Sequence, residues 1–527
     1  MTRSRSRRGC LTCRDKEVKC DETRPSCHRC IRLNRHCDYS ERPRKKYTRR
    51  SQPSPVDQTH KRETPQQPIT EQSSLADASV ETNCLVVLSD YDKEAIHNVR
   101  YAMARRVDTK SPDYSGPALI WTLSQKSPMV LHMVCALGSL KLCHSSSASP
   151  RQVADIPRRK SEAAAHYGAG LRLLAAAIQN RNHQASELDF ILATLWLMIS
   201  YELAHGNGTG ADLAIHLRGA SLMLQGWVKT TLSSPSGTML GGSKCYGITR
   251  LTSQLLLWIA AVDGCAVLNG FDASFNDLLG EAMFNFTADR VSARLETFRR
   301  LQQYATRVYY EAWTAAYPQS ELIEDLQCSQ IFALQAEAAQ LRYLLGKLAR
   351  SDETQSGSTV GAEALRRAIA DVGLRYNDLI TTASLLELPR EAAQRRYVLN
   401  LRMVVPLYYA VALLFHSLCN AHNGALNEIQ RVALQEIMTL AFRAYTDQGS
   451  EAVYRIAWPL FVAALESEDL LHRAWILERF DELAHQGENL RRAHQALCYA
   501  AQQRANQRRL GYLELLRDQE VEPFVLE

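Results

Sequence analysis

The chain has 527 residues, 46% hydrophobic and 22% charged, too long for one ordinary core, so two or more domains are expected. Its formal charge of +6 is unevenly spread: residues 1–50 carry 17 Lys+Arg against 6 Asp+Glu, and the remainder carries 45 against 50. A basic head on a slightly acidic body points to a nucleic-acid-binding tip, and no stretch reaches the roughly 18 apolar residues of a membrane helix.

Residues 1–9 form a basic arm, disordered in isolation and without the apolar segment of an export signal. The next stretch, CLTCRDKEVKCDETRPSCHRCIRLNRHC, places Cys10, Cys13, Cys20, Cys27, Cys30 and Cys37 at the spacing C-x2-C-x6-C-x6-C-x2-C-x6-C, two nearly identical halves end to end. Tetrahedral zinc takes four thiolates. Two separate sites need eight sulfurs, so six suffice only when two are shared, and the internal repeat suggests one bridging cysteine from each half. A disulfide knot would need an exported chain. All-cysteine closed sites leave no open position for water or substrate, which argues against a zinc enzyme. The other eight cysteines, at 84, 135, 143, 245, 265, 328, 419 and 498, lack C-x2-C pairing and read as reduced, mostly buried thiols of an intracellular protein.

The six cysteines, Arg14, the run Lys19-Cys20-Asp21 and Pro25 together resemble the fungal zinc binuclear cluster (Zn2Cys6) DNA-binding domain. The resemblance implies two Zn2+ ions, with Cys10 and Cys27 bridging, Cys13 and Cys20 completing one site, and Cys30 and Cys37 the other. It also implies a short helix after each C-x2-C pair, the first entering the major groove of double-stranded DNA. The chain departs from the family between Cys13 and Cys20. Lys16 stands at a base-reading lysine position, but Glu17 stands where the family usually has a second, and Asp15 is also often basic. A lysine donates to guanine O6 and N7, whereas a carboxylate only accepts, for example from cytosine N4.

The run from Arg42 to Arg50 abuts the cluster, and Arg44, Lys45 and Lys46 at its centre read as phosphate contacts, a nuclear localisation signal, or both. Residues 51 to about 84 are rich in Pro, Gln, Ser, Thr and Glu, so 41–84 reads as a basic, then polar, disordered linker. Prolines 43, 53, 55, 65 and 68 break any heptad series, and the run Tyr91–Arg105 spans only two heptads. That argues for a monomer or weak dimer.

From 85 to 520 the pattern is helical throughout. Ser127-Pro128 and Pro157 open helices, and Ser186-Glu-Leu-Asp189 resembles a capping box. Further helical runs are expected at about 211–227, 249–270, 291–315, 329–350, 361–387, 391–420, 423–447, 450–466, 468–486 and 488–516, with no convincing strand alternation. Met403–Phe415, interrupted by Pro406, reads as a buried core helix. The segments SPMVLHMVCALGSLKL, HYGAGLRLL, DFILATLWLMISYE, HLRGASLML and LWIAAVDGCAVLNG resemble the fungal-specific transcription factor regulatory domain, in its second common variant. That resemblance implies a role in regulating activity or sensing a signal.

Three weaker features complete the reading. The glycine-rich loop at 205–210 follows a helix and lacks a P-loop ending, so it reads as an interhelical loop. Asp263 in an apolar helix reads as a hydrogen-bonded or capping aspartate rather than a catalytic acid. The acidic-hydrophobic tail from Leu510 admits either an activation region or a terminal helix with residues 521–527 frayed.

The expected protein is mostly α: a Zn2Cys6 module at 10–40, the linker, and a large all-α helical regulatory domain. It is expected to be a nuclear, non-enzymatic, sequence-specific regulator of RNA polymerase II genes. It would read a short GC-rich triplet, with Arg14, Lys16, Glu17 and Lys19 as DNA contacts of which Lys16 carries base discrimination and Glu17 shifts or relaxes it, with transcription machinery or co-regulators as partners and no membrane. The alternative, kept open by Asp15 and Glu17, is a zinc-cluster co-regulator acting through protein interactions of its helical domain.

Overall fold

The structure, a computed structural model, describes residues 10–15, 18, 20–24, 26–33, 36–39, 86–143, 155–179, 185–205, 211–232, 238–240, 243–245, 248–271, 274–283, 290–351, 361–390, 392–419 and 426–527. The basic arm, the linker from 41 to 84 and the glycines at 206–210 lie outside them. Met1–Asp77 and Ala78–Glu527 are two separate compact units.

The first unit is organised by sulfur. Its two five-residue helices are α1 (Leu11–Asp15) and α2 (His28–Arg32). They begin inside the C-x2-C pairs and carry Cys13 and Cys30, rather than following the pairs as expected. Cys27 explains the start of α2, because it is the N-cap and its sulfur accepts the Cys30 amide. Cys10, Cys13, Cys20, Cys27 and Cys30 are all buried, and among the described residues only Val18, Cys37 and Tyr39 pack against them. So small an apolar set cannot hold a fold without metal.

The second unit is a stack of helices, as the periodicity predicts. The run at Tyr91 is a helix, Asp90–His97, closed at its start by a reciprocal Ser89–Asp92 capping box and continued by a π-helical turn, Asn98–Met103. Pro128–Cys143 and Ile156–Gln179 start at or beside the expected prolines. Ser186, expected to cap the next helix, instead falls within it, since that helix runs Ala185–His205. Asp189 instead accepts hydrogen bonds from the hydroxyls of Thr249 (2.7 Å) and Thr252 (2.5 Å), on the helix Arg250–Leu268 and its N-cap. Four of the long expected runs are broken in two. The run at 291–315 divides into Arg290–Ala305 and Val308–Trp313, and the second piece ends at Thr314, whose φ of 48° leaves the helical region. A small antiparallel hairpin, Thr238–Leu240 with Ser243–Cys245, was not expected, since three-residue strands are too short to show alternation.

Two apolar cores fill this unit, one drawn mainly from residues 96–305 and the other from 267–526. The helices Arg250–Leu268 and Ser329–Ser351 contribute to both and cross closely at glycine. A Cβ on Gly346 would lie 2.8 Å from the Leu268 nitrogen. At a second crossing a Cβ on Gly138 would overlap the backbone carbonyl of Ala95. Gly138→Ala is therefore expected to cost about 1–3 kcal/mol through overpacking, visible as a lower midpoint in urea. An unchanged midpoint would mean the two helices can separate freely.

Two helices are long and apolar enough to cross a membrane by composition, Arg250–Leu268 and Gln394–Cys419, which contains Pro406. They are 83% and 78% buried among their neighbours, the environment of core helices. The tail, expected to fray, is packed instead. After a short helix, Tyr512–Arg517, the side chains of Val521, Phe524, Val525 and Leu526 are buried.

Asp263 is fully buried and hydrogen-bonded, as read from the sequence. Its Oδ2 accepts the Asn276 backbone and side-chain N–H groups, both at 2.9 Å, tying Arg250–Leu268 to the next helix, Phe275–Met283. Burial pushes its carboxyl up to about 6, against the pull of the Asn276 bonds. A carboxyl raised on folding binds more protons folded than unfolded, so its contribution falls as pH rises from about 4 through 6. Asp263→Asn should remove this loss and gain about 2 kcal/mol on the native chain between about pH 4 and pH 7. Parallel thermal melts at the two pH values would show it, and a constant difference would contradict it.

Candidate metal centre and nucleic-acid interface

The sulfurs of the first unit fall into two groups of four. Cys10, Cys13, Cys20 and Cys27 form one and Cys10, Cys27, Cys30 and Cys37 the other, each with all ligand atoms within 4.8 Å of one another. Cys10 and Cys27 belong to both, 3.8 Å apart. Cys20 lies 3.8 Å from Cys10, Cys30 3.8 Å from Cys10, and Cys13 3.7 Å from Cys27. The edge of a tetrahedron with metal–sulfur bonds of about 2.3 Å is about 3.8 Å, so both groups have the size of a zinc site.

The sequence repeat reappears as an approximate two-fold in the amide bonds to sulfur. The Cys13 amide donates to Cys10 and the Cys30 amide to Cys27, both at 3.4 Å. Likewise the Cys10 amide donates to Cys20 (3.5 Å) and the Cys27 amide to Cys37 (3.2 Å). Such bonds favour thiolate over thiol. Glu22 adds another, its amide 3.4 Å from Cys20, reached through a left-handed backbone at φ 62°.

The outer frame is also built from this segment. Asp21 accepts the amides of His28 (3.2 Å) and Arg29 (3.3 Å), fixing the start of α2. The Thr23 hydroxyl first, then those amides, hold its carboxyl well below the usual range. The two ends are closed by the Leu11 amide on the Asp38 carbonyl (2.6 Å) and the Thr12 hydroxyl on the His36 carbonyl (2.8 Å). The crowded sulfurs cannot all ionise together, because each thiolate is held by thiols that stay protonated. Burial pushes the thiols of Cys10 and Cys13 up, while at Cys27 the Cys30 amide and neighbouring sulfurs outweigh burial and hold it at about 6. Two divalent ions resolve that conflict, and an all-sulfur donor set suits zinc.

Of the residues read as DNA contacts, Arg14 belongs to α1. Lys16, Glu17 and Lys19 lie outside the described residues, as do Arg44, Lys45 and Lys46. In the helical unit folding assembles a group that no local spacing could reveal. Asp92, Cys135 and His166, from three different helices, come within 4.8 Å, with His166 Nε2 2.9 Å from Asp92 and His132 2.8 Å from His166. Among the described cysteines none is disulfide-bonded, and Cys419 and Cys498 are exposed.

A sulfur-caged DNA-binding module on a large helical unit defines a class, the fungal zinc-cluster transcription regulators. The family model described as "Fungal specific transcription factor domain" matches residues 111–500, and the chain belongs to that family. The model described as "Fungal Zn(2)-Cys(6) binuclear cluster domain" matches residues 8–46, which implies two zinc ions and DNA binding.

Curated relatives match over short stretches. The lysine biosynthesis regulatory protein of Saccharomyces cerevisiae is 44% identical over 62 residues, 12% of this chain and 8% of that protein. The transcription factor lfc1 of Flammulina velutipes is 56% identical over 36 residues, 7% of this chain and 13% of that protein. The transcriptional regulatory protein moc3 of Schizosaccharomyces pombe is 51% identical over 37 residues, 7% of each. The chain thus spans no more than 13% of the length of these relatives. No solved structure matches it.

Proposed function

We propose that the chain is a nuclear, sequence-specific regulator of RNA polymerase II genes that reads a short GC-rich triplet in the major groove. The observation that carries the reading is the pair of four-sulfur groups sharing Cys10 and Cys27. In this reading Cys10 and Cys27 bridge the two zinc ions, Cys13 and Cys20 complete one site, and Cys30 and Cys37 complete the other. The ions fold the module, and α1 with the residues after it enters the groove. Arg14 and Lys19 approach the backbone, Lys16 reads a guanine edge, and Glu17 shifts the preference by accepting from cytosine N4. Arg44, Lys45 and Lys46 neutralise phosphates and release counterions, so affinity falls steeply with salt. The helical unit receives regulatory input.

Titration of the full chain against duplexes varied within the triplet tests the base readers. Glu17→Lys should change which triplet binds best, and Lys16→Ala should cost about 1–3 kcal/mol of discrimination. If Glu17→Lys raises affinity for every duplex equally, Glu17 faces phosphate and not a base. If the native chain shows no preference among triplets, the co-regulator reading, which the acidic Asp15 and Glu17 favour, replaces this one.

A further inference from the structure

The helical unit contains a cavity of about 500 Å³, within the 300–1,000 Å³ typical of small-molecule sites. Its wall carries six cationic side chains against three carboxylates. Most of that charge is already engaged. Lys110 and Arg396 both reach Asp325 at 2.5 Å, and the Arg455 guanidinium is bonded to the carbonyls of Arg105, Arg106 and Asp108. Three cations are left over, Arg106, Lys141 and Arg342.

These three are poorly satisfied. Among the described residues Lys141 makes no hydrogen bond and no ion pair. Arg106 lies over the Tyr454 ring at 5.8 Å, and its buried Nε has no partner. Arg342, 3% exposed, donates to the Leu526 carbonyl at 2.7 Å and lies 3.8 Å from the Trp458 ring centroid, and its Nε is likewise unpartnered. Burial, and then the charge of Arg106, hold the Lys141 ammonium down at about 8. Glu527, an exposed residue on the same wall, is the carboxylate whose charge acts on Lys141. Arg106 and Lys141 are half-buried and Arg342 is buried, and cations held partly out of water with no bonded carboxylate favour an incoming anion.

The remainder of the wall gives the anion its shape. Trp196 and Trp258 form a tilted pair with ring centroids 4.9 Å apart, joined by Leu257 and Phe298.

We propose that this cavity binds a small organic acid, its carboxylate held between Arg106 and Lys141 and its apolar body lying along Trp196 and Trp258. The site is separate from the zinc module, and its test uses no DNA, so it stands or falls apart from the reading of base sequence.

The experiment is calorimetric titration of the full chain with phenylacetate, 4-phenylbutyrate and 2-oxo-4-methylpentanoate, each paired with its neutral amide, and with intrinsic tryptophan fluorescence read in parallel. At least one acid should bind about tenfold or more tightly than its amide and quench tryptophan. Lys141→Met should lose about tenfold in affinity for that acid and leave the amide unchanged. Because Lys141→Met removes a half-buried charge that has no bonded partner among the described residues, the ligand-free variant should melt at the same temperature as the native chain or higher, which shows that it folds. Equal binding of every acid and its amide, no binding by any acid, or undiminished acid affinity in a folded Lys141→Met chain would each overturn the proposal.

Discussion

Cys10→Ser or Cys27→Ser is expected to reduce bound zinc from two ions per chain to fewer than one, whereas Cys37→Ser leaves about one. The difference follows from sharing. Cys10 and Cys27 belong to both four-sulfur groups, while Cys37 belongs to one. Losing a shared ligand leaves three sulfurs at each site and removes the tie between the halves. Structural zinc contributes about 10–16 kcal/mol of folding free energy, far more than so small an apolar core supplies, so the shared-ligand variants should also lose the helical signal of the module. Zinc content by elemental analysis of the full chain decides it. Equal losses for Cys10→Ser and Cys37→Ser would mean that the sulfurs are not shared.

The second large effect is expected in the helical unit. Asp325 is 5% exposed and takes three donors: Lys110 and Arg396 on Oδ1 and the Tyr317 hydroxyl on Oδ2, each at 2.5 Å. Lys110 also donates to the Tyr317 hydroxyl at 2.7 Å. Asp325→Ala removes the nearest anion from two buried cations and leaves them only the longer pairs to Glu321 (3.5 Å from Lys110, 3.3 Å from Arg396) and Glu324 (3.5 Å from Arg396), which costs about 3 kcal/mol. Asp325→Asn keeps an acceptor and should cost less, because the hydrogen bonds survive without the charge. Urea unfolding of the two variants tests this. A loss below about 1 kcal/mol for Asp325→Ala would place the cluster with exposed ion pairs.

The metal centre was legible because its chemistry repeats locally: six sulfurs within 28 residues declare both the metal and the sharing. The sequence did not reveal that Cys27 caps α2 and so draws the helix start inside the C-x2-C pair. Most helices were legible from apolar periodicity and proline placement. Ser186 misled because capping residues also occur within helices, and the apolar run beyond it extends the helix to Ala185. The tail misled because its composition resembles a solvated end, whereas Phe524 and Leu526 find a core supplied by distant helices.

Long-range electrostatics were beyond reach. Lys110 and Asp325 are 215 residues apart, and the cavity joins the single residues Arg106, Lys141 and Arg342 from three separated segments. Each reads in the sequence as an ordinary charge on a helix. Only the packing shows that Lys110 and Asp325 answer each other while Arg106 and Lys141 are left facing open space.

In-vitro site selection with the zinc-loaded full chain, repeated after chelation, tests the central claim most directly. Enrichment of a GC-rich triplet that disappears with the zinc is the predicted result. Retention of DNA without sequence preference, with affinity collapsing at physiological salt, would contradict it and leave the helical unit as the carrier of function.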